Sequence, residues 1–294
     1  GDVYKRQSLV ISLKAIVEDA SDEVILVAPF FPEYTVFVQN AGAKSVILPP
    51  DTEYFQISLD AMEQAITPKT RAVIINSPNN PSGVVYSAET YEKLAALLER
   101  KSREIGHPIY LISDEPYREI IYDGLPILYV PKFYRDTIIC YSYSKSLSLP
   151  GERIGYILVP DCVTAAKEVY TAVCGAGRFM GFVCAPHLFQ DVILKCMGQT
   201  SDVDVYDQNR KLLYNGLKEM GYDCVYPSGA FYLFVKSPEP DAKAFSDKAK
   251  KLNLLIVPAD SFGCPGYVRI SYCVDPDMIR RSFAAFEKLM AQYR

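Results

Sequence analysis

Three short polar clusters stand out because each directly follows an apolar run. They are residues 79–83 (NNPSG), 114–117 (DEPY) and 142–145 (SYSK). Between them they hold an amide (Asn80), a carboxylate (Asp114), a phenol (Tyr117), a hydroxyl (Ser142) and a lysine amine (Lys145). Arg153 follows Lys145 after eight residues, in SYSKSLSLPGER. Each has an ordinary reading in isolation: a lone lysine is usually a solvated charge, an aspartate after a strand a helix cap, an asparagine before proline a turn residue. Brought together, an amine, an acid and hydrogen-bonding groups can perform covalent and proton-transfer chemistry.

The elements that would bring them together are legible in the apolar periodicity. Residues 24–28 (VILVA), 72–76 (AVIIN), 109–113 (IYLIS), 137–141 (TIICY) and 155–159 (GYILV) read as buried strands. Helical patterns at 59–66 and 88–103 lie between some of them. Buried strands alternating with helices imply a largely parallel sheet. The three clusters follow the second, third and fourth of these strands. Parallel strands put them at one edge, beyond the carboxyl ends, where open α/β sheets bind ligands. After about residue 200 the rhythm changes. A helix is expected at 203–220, a strand at 231–235, a helix at 242–252, short strands at 254–257 and 268–272, and a last helix at 276–293 with Pro276 in its first turn. The expected fold class is α/β: a three-layer fold with a mostly parallel sheet in residues 1–202, plus a smaller α+β domain in residues 203–294.

That convergence suits pyridoxal 5′-phosphate (PLP). This cofactor needs a lysine amine for its Schiff base and an anion beside its pyridine nitrogen. Asp114 supplies the anion. Tyr117 and Asn80 are placed to hydrogen-bond the ring hydroxylate, and Ser142 and Arg153 to hold the phosphate. The Lys145 amine, once displaced by substrate, can carry the proton between substrate Cα and cofactor carbon.

Here the sequence resembles a known family. NNPSG, SDEPYRE, SYSKSLSLPGERIGY, PSGAFY and YVRISYC occur in the order found in fold-type I, class I aminotransferases, and the Lys145-to-Arg153 spacing agrees. The resemblance covers roughly residues 8–294. It implies an aspartate-aminotransferase fold with Lys145 as the Schiff-base lysine, Asp114 on the pyridine nitrogen and Tyr117 on the ring oxygen. Asn80 would touch that oxygen and the substrate carboxylate, and Arg269 would fork onto the substrate α-carboxylate. Phe31, in APFFPEY, resembles the aromatic that stacks on the cofactor ring, although Phe30 beside it is a second candidate. Residues 174–178 (CGAGR) resemble a segment that reaches the neighbouring subunit's site, with Arg178 as its charge; read alone they form an exposed flexible loop. The implied reaction is ping-pong transfer of an amino group between an L-amino acid and a 2-oxo acid, in a cytoplasmic homodimer.

The family's usual sequence begins about a hundred residues earlier. It includes a Gly/Ala-rich turn that cradles the phosphate at a helix N-terminus. Just before Leu9, where that turn is expected, the chain has GDVYKRQ, which reads as foreign. The chain is therefore expected to be an N-terminally truncated fragment.

Bulk properties narrow the alternatives. A net charge of −4 over 294 residues offers no basic patch for nucleic acid. No apolar run approaches the roughly 20 residues needed to cross a bilayer. The eight cysteines form no Cys-x-x-Cys pair, and with two histidines a metal site is not expected. Cys140, Cys184 and Cys273 sit among apolar neighbours and read as small hydrophobes. Two other functions use similar motifs: a PLP-dependent C–S lyase, and the effector-sensing domain of a transcription regulator.

Overall fold

A computed structural model describes residues 5–294, with side chains from Arg6 onward. The expectation for residues 1–7 falls mostly outside the described residues; Lys5–Gln7 open the first helix, α1 (Lys5–Ile16). A six-stranded sheet follows. Its strands are β1 (Glu23–Val27), β2 (Lys44–Leu48), β3 (Thr70–Asn76), β4 (Tyr110–Asp114), β5 (Thr137–Ser142) and β6 (Gly155–Leu158). They lie in the order β2-β1-β3-β4-β5-β6. All neighbours are parallel except β5 and β6, so the sheet is mostly parallel, as expected.

Strand alternation explains why the sheet is buried on both faces. Val24, Leu26, Ala72, Ile74 and Ile112 point into one apolar cluster, while Ile25, Val27, Val73, Ile75 and Leu111 point into another. The first face is covered by α1, α2 (Glu33–Ala41) and α6 (Ala166–Phe179). The second is covered by α3 (Leu59–Ala65) and α4 (Ala88–Ile105). Helix α4 shows how locally these ends are fixed. The Ser87 hydroxyl accepts from Thr90 N at 3.0 Å, and Gly106 ends the helix in the left-handed region. Strand β2 escaped the sequence reading because it is an edge strand, half-exposed over most of its length, so its apolar run is short.

The second sheet is antiparallel, in the order β7-β8-β10-β9. Its strands are β7 (Asp223–Val225), β8 (Tyr232–Lys236), β9 (Val257–Pro258) and β10 (Tyr267–Ser271). Helices α8 (Val203–Glu219), α9 (Ala242–Lys250) and α10 (Pro276–Met290) pack on it through Leu213, Leu217, Phe245, Ile279 and Phe286. Pro276 does open α10. Strand β9 corrects the expected 254–257 strand: only Val257 and Pro258 pair with β10, while Leu254 and Ile256 are buried in the core below. Their apolarity reflects packing, not pairing. The remaining helices are α5 (Tyr143–Ser146) and α7 (His187–Lys195).

Two further expectations need correction. Residues 174–178 are not a loop; they form the last turns of α6, with Gly177 packed near the Phe182 carbonyl and Ile11. Glycine alone did not break the helix because Val169 and Val173 anchor its buried face. Among the cysteines, Cys140, Cys224 and Cys264 are buried, but Cys184 and Cys273 are exposed. Apolar neighbours in sequence did not mean burial in space.

The two sheets are docked through a few close contacts. The Gly83 carbonyl accepts from both Ser228 N and Gly229 N at 2.8 Å. Ala230 N donates to the Ile120 carbonyl at 2.9 Å. A side chain at Gly83 would meet Pro227 Cβ at 2.6 Å and the Tyr232 carbonyl at 2.7 Å, and its φ is +73°. Only glycine fits that approach. Arg210, its side chain fully buried in α8, forks onto Asp123 with two 2.7 Å bonds and bonds the Pro227 carbonyl at 2.9 Å.

Candidate functional site

The predicted clusters do meet at one edge. Register pairs Asn76 with Asp114, and Asp114 with Cys140, so β3 and β4 end level and β5 runs two residues further, to Ser142. Asn80, Asp114, Tyr117 and Ser142 are buried there, and Lys145 is half-buried.

Asp114 is the last residue of β4 and fully buried. Its carboxylate accepts from the Tyr34 hydroxyl, itself buried in α2. Burial, then the Asp114 charge, raises the Tyr34 phenol well above its ordinary range, so it remains a donor. Asn76 holds two clusters together: its amide donates to the Asp114 carbonyl, and its oxygen accepts from Asn80 N, both at 2.8 Å. The sequence reading missed Tyr34 and Asn76. Both stand inside quoted motifs, three residues after Phe31 and at the end of AVIIN; what they touch depends on strand order.

Lys145 sits in the single turn of α5. Ser142 caps that turn, its oxygen accepting from Ser144 N at 3.1 Å while its hydroxyl donates to Ser144 Oγ at 2.8 Å. Arg153 Nη1 approaches the same Ser144 oxygen at 3.4 Å and also donates to the Pro150 carbonyl. Ser142, Ser144 and Arg153 therefore form one polar group beside Lys145. On the other side, Ser146 Oγ is 2.8 Å from the Tyr141 hydroxyl. The Lys145 amine lies 5.3 Å from the centre of the Phe231 ring.

The second sheet supplies the remaining cation. Arg269, in β10, donates from Nη1 to Asn80 Oδ1 at 2.8 Å. Its guanidinium lies between two rings, 4.6 Å from Tyr232 and 5.0 Å from Phe262. Its buried Nε has no hydrogen-bond partner among the described residues. Tyr117 meets Tyr232 at 3.0 Å between hydroxyls, and burial keeps the Tyr117 phenol protonated well above its ordinary range. Of the two adjacent phenylalanines, Phe30 is buried, touching the space a Gly263 side chain would need. Phe31 is half-buried and meets the Tyr34 ring edge-on at 5.7 Å.

A buried carboxylate, a lysine, a phenol and an arginine at one edge of the sheet fit a planar cofactor with a basic nitrogen and a substrate that carries a carboxylate. Comparisons with known proteins give the family. Residues 7–286 match the family described as Aminotransferase class I and II. The chain is 31% identical over 302 aligned positions to aromatic-amino-acid aminotransferase 2 of Thermococcus litoralis, covering 99% of this chain and 75% of that protein. It is 30% identical to the aspartate aminotransferase of Pyrococcus abyssi, with the same coverage. Among solved structures, an amino transferase from Eubacterium rectale superposes with a TM-score of 0.98 at 60% identity, covering 100% of this chain and 74% of that one. The aspartate aminotransferase of Thermotoga maritima superposes with a TM-score of 0.86 at 27% identity, covering 99% and 75%.

Proposed function

The chain belongs to the class I and II aminotransferases, and from that premise we propose which of its residues carry the PLP-dependent transfer of an amino group. The observation that carries the assignment is the shared strand edge, where Asp114, Tyr117 and Lys145 meet an arginine brought by the other sheet. Lys145 would hold the cofactor through its amine, and that amine, once free, would carry the proton at substrate Cα. Asp114, held by Tyr34, would keep the pyridine nitrogen protonated. Tyr117 would donate to the ring oxygen, and Phe31 would stack on the ring. Ser142 and Arg153 would bind the phosphate. Arg269 and Asn80 bind the substrate α-carboxylate, Arg269 with a planar fork suited to it. PLP, when bound, supplies the electron sink for the pair released at Cα.

The relatives' names differ in substrate side chain, aspartate in one and aromatic amino acids in another. Their common part is the α-amino acid itself, which is what Arg269, Asn80 and Lys145 address here. The reaction is accordingly a ping-pong exchange between an L-amino acid and a 2-oxo acid. The test is incubation with PLP and a panel of L-amino acids, with and without a 2-oxo acid. Amino transfer that needs the oxo acid for turnover is expected. Pyruvate released from L-cystathionine without an acceptor would establish the lyase instead.

We also propose a homodimer built on the face around α6 and α7. Phe179, Leu188, Leu194 and Met197 are 82%, 68%, 68% and 71% exposed there, and α7 buries none of its residues. Large apolar side chains left exposed on neighbouring elements mark an association surface. Arg178 and Cys174 line a cavity of about 130 Å³ on the same face. Sedimentation velocity reads the outcome; a monomer at micromolar concentration would refute the proposal.

A further inference from the structure

We propose that Tyr232 is a positioning residue that couples the arginine for the substrate carboxylate to the tyrosine for the cofactor ring. The inference deepens the site reading above and rests on it.

Tyr232 opens β8 and is buried. In the antiparallel pairing of β8 with β10, Tyr232 stands opposite Ser271, and Phe234 opposite Arg269. Tyr232 and Arg269 are therefore diagonal neighbours on one face, within reach of a long side chain. The Tyr232 ring lies 4.6 Å from the Arg269 guanidinium. Its hydroxyl reaches the other way, 3.0 Å from that of Tyr117, and the two rings meet edge to face at 5.8 Å. One side chain thus touches both groups by separate parts: the ring addresses Arg269, the hydroxyl addresses Tyr117.

The direction of the hydroxyl bond follows from counting protons. A phenol has one. If Tyr117 gives its proton to the cofactor ring oxygen, it can only accept from Tyr232. Burial raises the Tyr232 phenol from its ordinary range, so it keeps the proton it must donate. A donor bond into Tyr117 polarises it and strengthens its own donation onward. Tyr117 donating strongly to the ring oxygen weakens that oxygen's hold on the proton of the lysine–cofactor nitrogen. Tyr232 therefore lowers the pH at which that nitrogen loses its proton.

The experiment uses the PLP-loaded protein and follows its visible absorption against pH, beside equilibrium binding of the unreactive α-methyl analogue of its fastest amino-acid substrate. Tyr232→Phe keeps the ring and loses the hydroxyl. It is expected to move the titration midpoint upward by roughly a few tenths of a pH unit, less than Tyr117→Phe, with analogue affinity within about twofold. Tyr232→Leu loses both parts; it should shift the midpoint similarly and also weaken the analogue by about threefold. If Tyr117→Phe moves the midpoint and Tyr232→Phe does not, the coupling is overturned while the site reading stands. If Tyr117→Phe leaves the midpoint in place, the reading of Tyr117 falls and the coupling with it. Should the leucine variant fail to fold, Tyr232→Met, which fills the space without an aromatic ring, takes its place, and analogue affinity unchanged in it would overturn the ring's part.

Discussion

The two sheets feed the site in different ways. From the six-stranded sheet, Asn80, Asp114 and Lys145 arrive at or just after strand ends, each inside a short motif that follows its strand directly. From the four-stranded sheet, Arg269 and Tyr232 arrive from within paired strands, and they reach the site only because the sheets are docked. The first set is placed by the topology of one parallel sheet. The second is placed by a handful of contacts between sheets, centred on Gly83, Ser228, Gly229 and the Asp123–Arg210 pair. Chemistry that depends on the first set should survive damage to the docking better than chemistry that depends on the second.

The largest effect is expected inside the first set. Lys145→Ala should abolish covalent attachment of PLP and lower the rate by about 10²–10⁴-fold or more. Visible absorption, borohydride reduction and peptide mass would read it. A reducible linkage persisting in the variant would remove Lys145 from its assigned role.

Gly83→Ala attacks the docking. The new methyl group would press on Pro227 and the Tyr232 carbonyl at a left-handed backbone position, costing about 2–4 kcal/mol. Urea unfolding should show this loss, and amino-acid binding should weaken more than PLP binding. Equal losses for both ligands would mean that the two sets are not separable.

Arg269→Lys sharpens the same contrast while leaving the Gly83 contacts and the Asp123–Arg210 pair in place. A lysine cannot reproduce the planar fork, and a charge-assisted bond is worth about 1.5–3 kcal/mol. Affinity for the amino acid should fall about 10–150-fold with PLP affinity nearly unchanged. The reverse pattern would place Arg269 on the cofactor.

The smallest effect is expected at the charge pair between the sheets. Arg210 holds the Asp123 carboxyl down to about 2, from 3.8. A lowered carboxylate contributes stability that is fully present above its unfolded value and is lost as pH falls through the folded one. Asp123→Asn should therefore cost stability near neutrality, and the gap between wild type and variant should close between about pH 4 and pH 2. The carboxylate side chain is 39% exposed, so solvent screening holds the gap to about 1 kcal/mol or less. Thermal melts across that range measure it. A gap that widens on acidification would contradict the pairing.

Much of this protein is readable in one dimension. Strands β1, β3, β4 and β5 are apolar runs because both faces of the sheet are covered there, and a run buried on both sides needs no periodicity to be seen; β6, expected to be buried, is an edge strand in which only Gly155 is buried. The three motifs after β3, β4 and β5 follow from strand direction alone, so the parallel sheet already implies that Asn80, Asp114 and Lys145 share an edge. What failed in the sequence reading failed for a common reason. The edge strand β2, the two-residue β9 and the helical residues 174–178 are defined by what lies beside them, not by their own composition. The hydroxyl that holds Asp114 comes from Tyr34, 80 residues away, and the oxygen that accepts from Arg269 comes from Asn80, 189 residues away. Sequence pattern encodes which face of an element must leave water, because that is a local property of side chains. Which buried polar groups then satisfy one another was decided only when the chain closed, because each such bond depends on the docking of elements that share no local pattern.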